Sequence, residues 1–384
     1  MQLRLTDRAG ELSRAAPTEA WQDSQVRPTH AEIDLSAIRE NVSSIVSTVQ
    51  PAEVCTVVKA DGYGHGDVPV AEVALDAGAR MLAVALVEEG IRLREAGIEA
   101  PVLVLSEPDV GDAAELVHWG LTPTAYRPEF IHALASASQD RVEVHLKIDT
   151  GMHRVGAVTG LLADLVAMVE AAPSLALGAV WTHFAVADED SRFTDRQVRS
   201  FRRAVGDLDV SVHLANTAGA LLFPSARGDM VRVGLGTYGL HPCDATRPVV
   251  ALRPAMRVAS AVSHLQRLPA DARPSYGRRR PLEDEATVAT VPIGYADGLP
   301  RLLSSTGGEV LIGGSRHPLA GTITMDQIVV DVGDHPVDVG DEVVLIGSQG
   351  GEEISADEWA AKVGTISYEI VCDIGPRVPR RYRG

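Results

Sequence analysis

Cysteine is scarce in this chain. Its 384 residues hold three, Cys55, Cys243 and Cys372, far apart and mostly in apolar surroundings. An odd count without ligand-like spacing argues against a disulfide framework and a zinc site, and reads as reduced core residues of a cytoplasmic protein with no metal centre. Long apolar runs are missing as well: none approaches the roughly 20 residues of a membrane-spanning helix. Positive charge is in deficit, with 35 Lys and Arg against 52 Asp and Glu and a net charge of −17. Neither nucleic acid nor an anionic membrane surface is therefore an expected partner. Residues 1–29 lack a hydrophobic signal core; polar and rich in Ala, Arg and Glu, they read as a poorly ordered extension.

What is present is globular in kind. Hydrophobic residues make up 45% of the chain, and a sequence this long exceeds one compact core, so two domains are expected. Residues 31–35 alternate as a short strand, and Ser36 is the expected N-cap of a helix over 37–49. Short apolar runs then follow at 54–58, 82–86, 102–105, 121–125, 142–148, 177–182, 210–214 and 230–235. Amphipathic helical stretches such as 68–77, 87–96 and 161–171 lie between them. This alternation predicts a TIM-type (β/α)8 barrel over residues 30–243, with a doubly wound open sheet as the alternative. Past Cys243 the helical period fades. Runs at 258–264, 287–293, 309–312, 328–332 and 342–346, separated by Gly-Gly turns, predict a mostly antiparallel β domain over 244–384. Its one clear helix is expected at 356–363, capped by Ser355. The fold class is α/β plus β.

A parallel barrel puts its chemistry at the C-terminal ends of the strands. Those positions hold Lys59 and Tyr63 after the first strand, Lys147, Asp149 and Arg154 after the fifth, and His183 after the sixth. Asn216 and Thr217 follow the seventh, and Arg232 and Gly234 lie in the eighth. A lysine whose stem is buried and whose amine sits at a strand exit loses proton affinity and gains nucleophilicity. The alternative for Lys59 is a surface lysine after an edge strand. The glycines of 62–66 lack the spacing of a Walker or dinucleotide loop.

The motifs Val58-Lys-Ala-Asp-Gly-Tyr-Gly-His-Gly66, Lys147-Ile-Asp-Thr-Gly-Met-His-Arg154 and Thr182-His-Phe-Ala185 resemble those of alanine racemases, pyridoxal-phosphate enzymes of fold type III. So do Met230-Val-Arg-Val-Gly234, Ser275-Tyr-Gly277, Pro292-Ile-Gly-Tyr-Ala-Asp-Gly298, Met325-Asp326, and the tail with Tyr368 and Arg377-Val-Pro-Arg380. The resemblance runs from about residue 30 to the end, in one order. It implies that Lys59 carries the pyridoxal 5'-phosphate covalently and acts as one catalytic base. Tyr276, reaching in from the other subunit of a homodimer, would be the second. The phosphate would fall to Tyr63, Thr217, Gly234, Leu235 and Tyr368, with Asn216 and His183 also beside the cofactor. Arg232 would face the pyridine nitrogen and, being unable to give up its proton, leave that nitrogen unprotonated. Arg154, Met325 and Asp326 would bind the substrate carboxylate, Tyr295 would line the entrance, and Lys147 would be carbamylated to an anion that orients Arg154.

The function this implies is interconversion of L- and D-alanine, supplying D-alanine for peptidoglycan, with a small amino acid as the only partner besides a second subunit. A serine or broad-specificity racemase of the same fold is the nearest alternative. A related decarboxylase is disfavoured by the Arg232 and Tyr276-Gly277 matches. A non-catalytic cofactor-carrying barrel would leave the β domain unexplained.

Overall fold

The computed structural model describes residues 26–384, so residues 1–25 of the expected extension lie outside the described residues. The rest of that extension is anchored. Thr29 is buried, its hydroxyl 2.8 Å from Ser260 Oγ and donating to Pro292 O, while Arg27 pairs with the fully buried Asp297 carboxylate. Strand β1 (His30–Asp34) leads into the helix Leu35–Val49. The cap of this helix is Asp34 rather than Ser36. Asp34 Oδ1 accepts from Ala37 N at 3.0 Å and from the Ser36 hydroxyl at 2.6 Å. A carboxylate makes the charge-assisted bond and complements the helix dipole, so it outcompetes the hydroxyl.

The barrel strands are β2 (Glu53–Val57), β3 (Met81–Val84), β4 (Val102–Val104), β5 (Thr122–Ala125), β6 (Val142–Asp149), β8 (Leu175–Trp181), β9 (Ser211–His213) and β10 (Met230–Val233), with the two-residue β7 (Ala157–Val158) beside β6. They pair in parallel in the order β10-β2-β3-β4-β5-β6-β8-β9. Between β9 and β10 the ring is drawn shut by two backbone bonds, Arg232 N to Ala215 O and Asp229 N to Val212 O, both 2.9 Å. The nearly closed eight-stranded barrel is the predicted one, and the open sheet is excluded. Strands covered on both faces tend to be apolar, as in Val102-Leu103-Val104. Strand β6 departs from this rule: Val-Glu-Val-His-Leu-Lys-Ile-Asp alternates, and its His145 and Lys147 are nonetheless buried.

The second domain comprises β11 (Met256–Ala261), β12 (His264–Leu268), β13 (Ala286–Val291), β14 (Glu309–Ile312), β15 (Ser315–Pro318), β16 (Ile328–Gly333), β17 (Glu342–Gln349), β18 (Glu352–Ile354) and β19 (Arg380–Arg383). One sheet runs β15-β14-β17-β11-β1-β19, and β12-β13-β16 form a smaller one. Strand β1 thus belongs to this domain, antiparallel to β11 and parallel to β19, rather than to the barrel that the sequence suggested for residues 30 onward. Ser355 caps the helix Ala356–Val363, accepting from Glu358 N at 3.0 Å. A second helix, Ser367–Asp373, follows it. The sequence reading lacked this helix because it is short and its cap residue, Ile366, has no side-chain acceptor. It brings Tyr368 and the exposed Cys372 toward the barrel; only Cys55 of the three cysteines is fully buried.

Candidate active site

After β2 the chain makes a left-handed helical turn in place of an irregular loop. Ala60, Asp61, Gly62 and Tyr63 all have φ between 53° and 58° and ψ between 41° and 51°. For residues with a Cβ this costs about 1–2 kcal/mol each, so the surroundings must hold it. Gly62 N donates to Val58 O, Gly66 N to Asp61 O and Arg380 Nε to Gly64 O, all at 2.8–2.9 Å. Glu89 accepts from Ala60 N at 2.6 Å and from Ala85 N at 2.8 Å. Lys59 opens the turn. Burial, and then the nearby Arg154 charge, lower its amine pKa below the ordinary lysine value.

The turn also delivers Tyr63. Its ring stacks on Tyr238 with centroids 4.8 Å apart and lies 6.1 Å from that of Tyr368. Its hydroxyl rests at Gly234, where a Cβ would collide with it. Thr217 Oγ1 accepts from Gly234 N at 3.2 Å. The start of the short helical turn Leu235–Tyr238 lies alongside, its first N–H groups lacking intrahelical acceptors. Burial raises the pKa of both Tyr63 and Tyr368, keeping them as protonated donors. Asn216 caps the helix Thr217–Leu222, accepting from Gly219 N at 2.9 Å.

Arg232 is buried without a carboxylate partner among the described residues. Nη1 bonds His213 Nδ1 (2.8 Å) and His213 O (2.9 Å); Nη2 bonds Thr182 O (2.7 Å), Leu214 O (3.0 Å) and His183 Nδ1 (3.2 Å). Its Nε makes no hydrogen bond among the described residues. Burial brings the guanidinium pKa down to about 10, which leaves it charged at neutral pH. Burial and that charge push His183 well below its ordinary value, so its Nδ1 is a neutral acceptor.

Lys147 lies over the Trp181 ring, 4.0 Å from its centroid, and Arg232 lies over the same ring at 4.5 Å. Burial, then the charges of Arg232 and Arg154, lower the Lys147 amine to about 7. Lys59, Lys147, Arg154 and Arg232 therefore converge with little to balance them. Asp149 turns its carboxylate to the amides of residues 151–153, and Glu89 turns its own to the left-handed turn. Four basic groups gathered in a chain of net charge −17, with amine charges suppressed by their crowding, are the make-up of a candidate anion site.

The remaining predicted residues form a separate group on the β domain. Tyr276, Tyr295, Met325 and Asp326 line a surface cavity of about 750 Å³. The Tyr276 loop is strained, with φ of 66° at Ser275 and 47° at Arg278, and is held by Ser275 Oγ donating to Thr322 O and Thr322 Oγ1 to Tyr276 O. Asp326 pairs with Arg377 at 2.8 Å. Among the described residues no hydrogen bond or ion pair joins this group to the barrel residues.

Several contributors were missed from sequence, namely Trp181, His213, Tyr238 and Glu89, and Arg380 stood in the tail motif without a role. His213 and Trp181 could have been found from the polar alternation in β6, since polar side chains inside a barrel need buried partners. Tyr238 and Arg380 carry no local signal; their roles depend on how the two domains pack.

Two family models match in succession: alanine racemase, N-terminal domain, over residues 33–242, and alanine racemase, C-terminal domain, over residues 255–382. The chain is 43% identical over 370 residues to the alanine racemase of Symbiobacterium thermophilum, spanning 94% of this chain and 98% of that protein. It is 43% identical over 374 residues to that of Frankia casuarinae, spanning 92% and 95%. Among solved structures, the alanine racemase of Bacillus anthracis with bound L-Ala-P superposes with a TM-score of 0.87 at 38% identity, covering 93% of this chain and 95% of that one. That of Streptomyces coelicolor A3(2) gives 0.86 at 36% identity, covering 93% and 98%. Fold, site and relatives together define a two-domain isomerase. The chain belongs to the alanine racemase family.

Proposed function

We propose that this protein is a pyridoxal-phosphate-dependent racemase of alanine, working as a cytoplasmic homodimer with shared sites and supplying D-alanine for peptidoglycan. The observation that carries this reading is Lys59: an amine of lowered pKa at a strand exit, among three further cations, in a chain of this family. The barrel residues fit the cofactor. Arg232 Nε is a donor without a partner, suited to a ring nitrogen, and the hollow at Gly234 is walled by Tyr63 and Thr217. Tyr63, Thr217, Tyr368 and the backbone at Gly234 and Leu235 would hold the phosphate, with His183 and Asn216 supporting the frame. Once bound, pyridoxal phosphate supplies the electron sink that acidifies the amino acid's Cα–H.

The chain's own residues do the rest. The Lys59 amine takes or returns the Cα proton on one face, and the partner's Tyr276 does so on the other, because a single base tends to return the proton to the side it left. Arg154 binds the substrate carboxylate. Met325 and Asp326 approach it through backbone amides, as the Asp326 side chain is engaged by Arg377. Tyr295 lines the entrance. Lys147, half deprotonated near neutrality, is able to capture carbon dioxide, and the resulting carbamate would replace one of four crowded cations with an anion beside Arg154. Intact mass of the protein kept in bicarbonate checks this.

The deciding experiment is borohydride reduction followed by peptide mapping, with chiral assay on L-alanine, D-alanine, D-serine and D-lysine. Cofactor trapped on Lys59 and turnover favouring alanine are expected. Equal turnover of serine points to the broad-specificity racemase, and evolved carbon dioxide to a decarboxylase.

A further inference from the structure

Strand β6 places Glu143, His145 and Lys147 on one face, at every second position. Hydrogen-bond logic fixes how this face connects to Arg232. Arginine only donates, so His213 Nδ1, 2.8 Å from Arg232 Nη1, must accept. Burial and the Arg232 charge keep His213 neutral, so its proton sits on Nε2. That proton faces His145 Nδ1 at 3.1 Å. His145 therefore accepts there and carries its own proton on Nε2, 3.1 Å from Glu143 Oε1. Four groups form one line with every bond running the same way, from a buried guanidinium to a carboxylate that is 59% exposed at the start of the strand.

Two features show that the line is accommodated by its surroundings. A Cβ at Gly178 would collide with the Glu143 side chain, so this glycine opens the room the carboxylate occupies. The Trp181 ring stacks on His213 with centroids 5.4 Å apart at 11° and shields it. The other charged group facing the line is Lys147, across the same indole. Among the described residues Arg232 has only ring nitrogens and carbonyls as acceptors, so the nearest carboxylate along its hydrogen bonds is Glu143, two imidazoles away.

We propose that Glu143, acting through His145 and His213, is a positioning residue for Arg232. The relay locks Nη1, leaves Nε to the ligand, and sets the donor strength of the guanidinium from the N-terminal end of the barrel strands. Its functional consequence rests on Arg232 facing the cofactor; the relay itself does not.

The test begins with the unaltered chain labelled with ¹⁵N-histidine, before cofactor is added. Both His145 and His213 should be neutral with the proton on Nε2. Glu143→Gln keeps an acceptor oxygen and removes the charge; Gly178→Ala keeps the charge and pushes the carboxylate aside. In both variants the Nε2–H resonances of His145 and His213 should move toward those of weakly bonded imidazole. In the loaded enzyme the cofactor absorption should shift and kcat fall about fivefold at unchanged KM, the effect of weakening one charge-assisted hydrogen bond. A proton on His213 Nδ1 in the unaltered chain overturns the proposal, as do variants that move His145 while leaving His213 untouched. Resonances that shift as expected in a protein that racemises nothing would uphold the relay and refute the functional reading.

Discussion

The two groups of candidate site residues are built on opposite plans. In the barrel the core of the group is buried and interlocked, with Arg232 2% exposed and held by five hydrogen bonds and Thr217 3% exposed, while Lys59 is half-buried and Arg154 lies at the exposed rim. On the β domain they stand open, with Tyr276 at 73%, Met325 at 52% and Tyr295 at 42% exposure around their cavity. A buried cation cluster is costly until an anion fills it, whereas an exposed aromatic loop held in strained backbone is set up to meet another surface. The barrel half is organised to hold a ligand and the β-domain half to approach one. That contrast is what the proposed shared site between two copies calls for.

Removing the central residue from each half should separate their roles. Lys59→Ala should abolish both cofactor attachment and racemisation, a loss beyond about 10⁴-fold. Tyr276→Phe should keep the cofactor spectrum and lose about 10²–10⁴-fold in kcat. If Tyr276→Phe instead displaces the cofactor, the division between the halves fails. Gly234→Ala probes the barrel hollow alone. The new Cβ meets the Tyr63 hydroxyl, and cofactor affinity measured by titration should fall about tenfold, as overpacking of ~1–3 kcal/mol implies. An unchanged affinity would remove Tyr63 and Gly234 from the phosphate site.

The smallest effect concerns charge crowding. The folded pKa of Lys147, about 7, lies below its ordinary 10.5. Between those values the unfolded chain binds a proton that the folded chain does not, so stability rises with pH across the window, and the destabilisation is complete below it. In carbon-dioxide-free buffer, Lys147→Met should therefore raise Tm at about pH 6 and leave it nearly unchanged at about pH 10. Equal shifts at both values would show that the amine is not held neutral by its surroundings.

The same contrast explains what was legible in the sequence. Strand exits are legible because apolar runs end abruptly at polar residues, which singles out Lys59, His183 and Thr217, while Lys147 and Arg232 interrupt their strands near the C-terminal ends. The β-domain residues had no such frame: a Tyr-Gly pair or a Met after a strand looks ordinary, and only the family motifs singled out Tyr276 and Met325. Asp34 displaced Ser36 as a cap because two capping residues stood two positions apart. The left-handed turn was hidden for another reason. Three of its residues are not glycine, and its support comes from Arg380, more than three hundred positions away.

One measurement addresses the shared site directly. Inactive Lys59→Ala and Tyr276→Phe proteins, unfolded or dissociated together and reassembled in equal amounts, should regain about a quarter of the unaltered activity, since half the dimers are mixed and each has one intact site. A mixture as inactive as its parents, with mixed dimers demonstrated by mass, would show that Lys59 and Tyr276 act within one chain and would contradict the account.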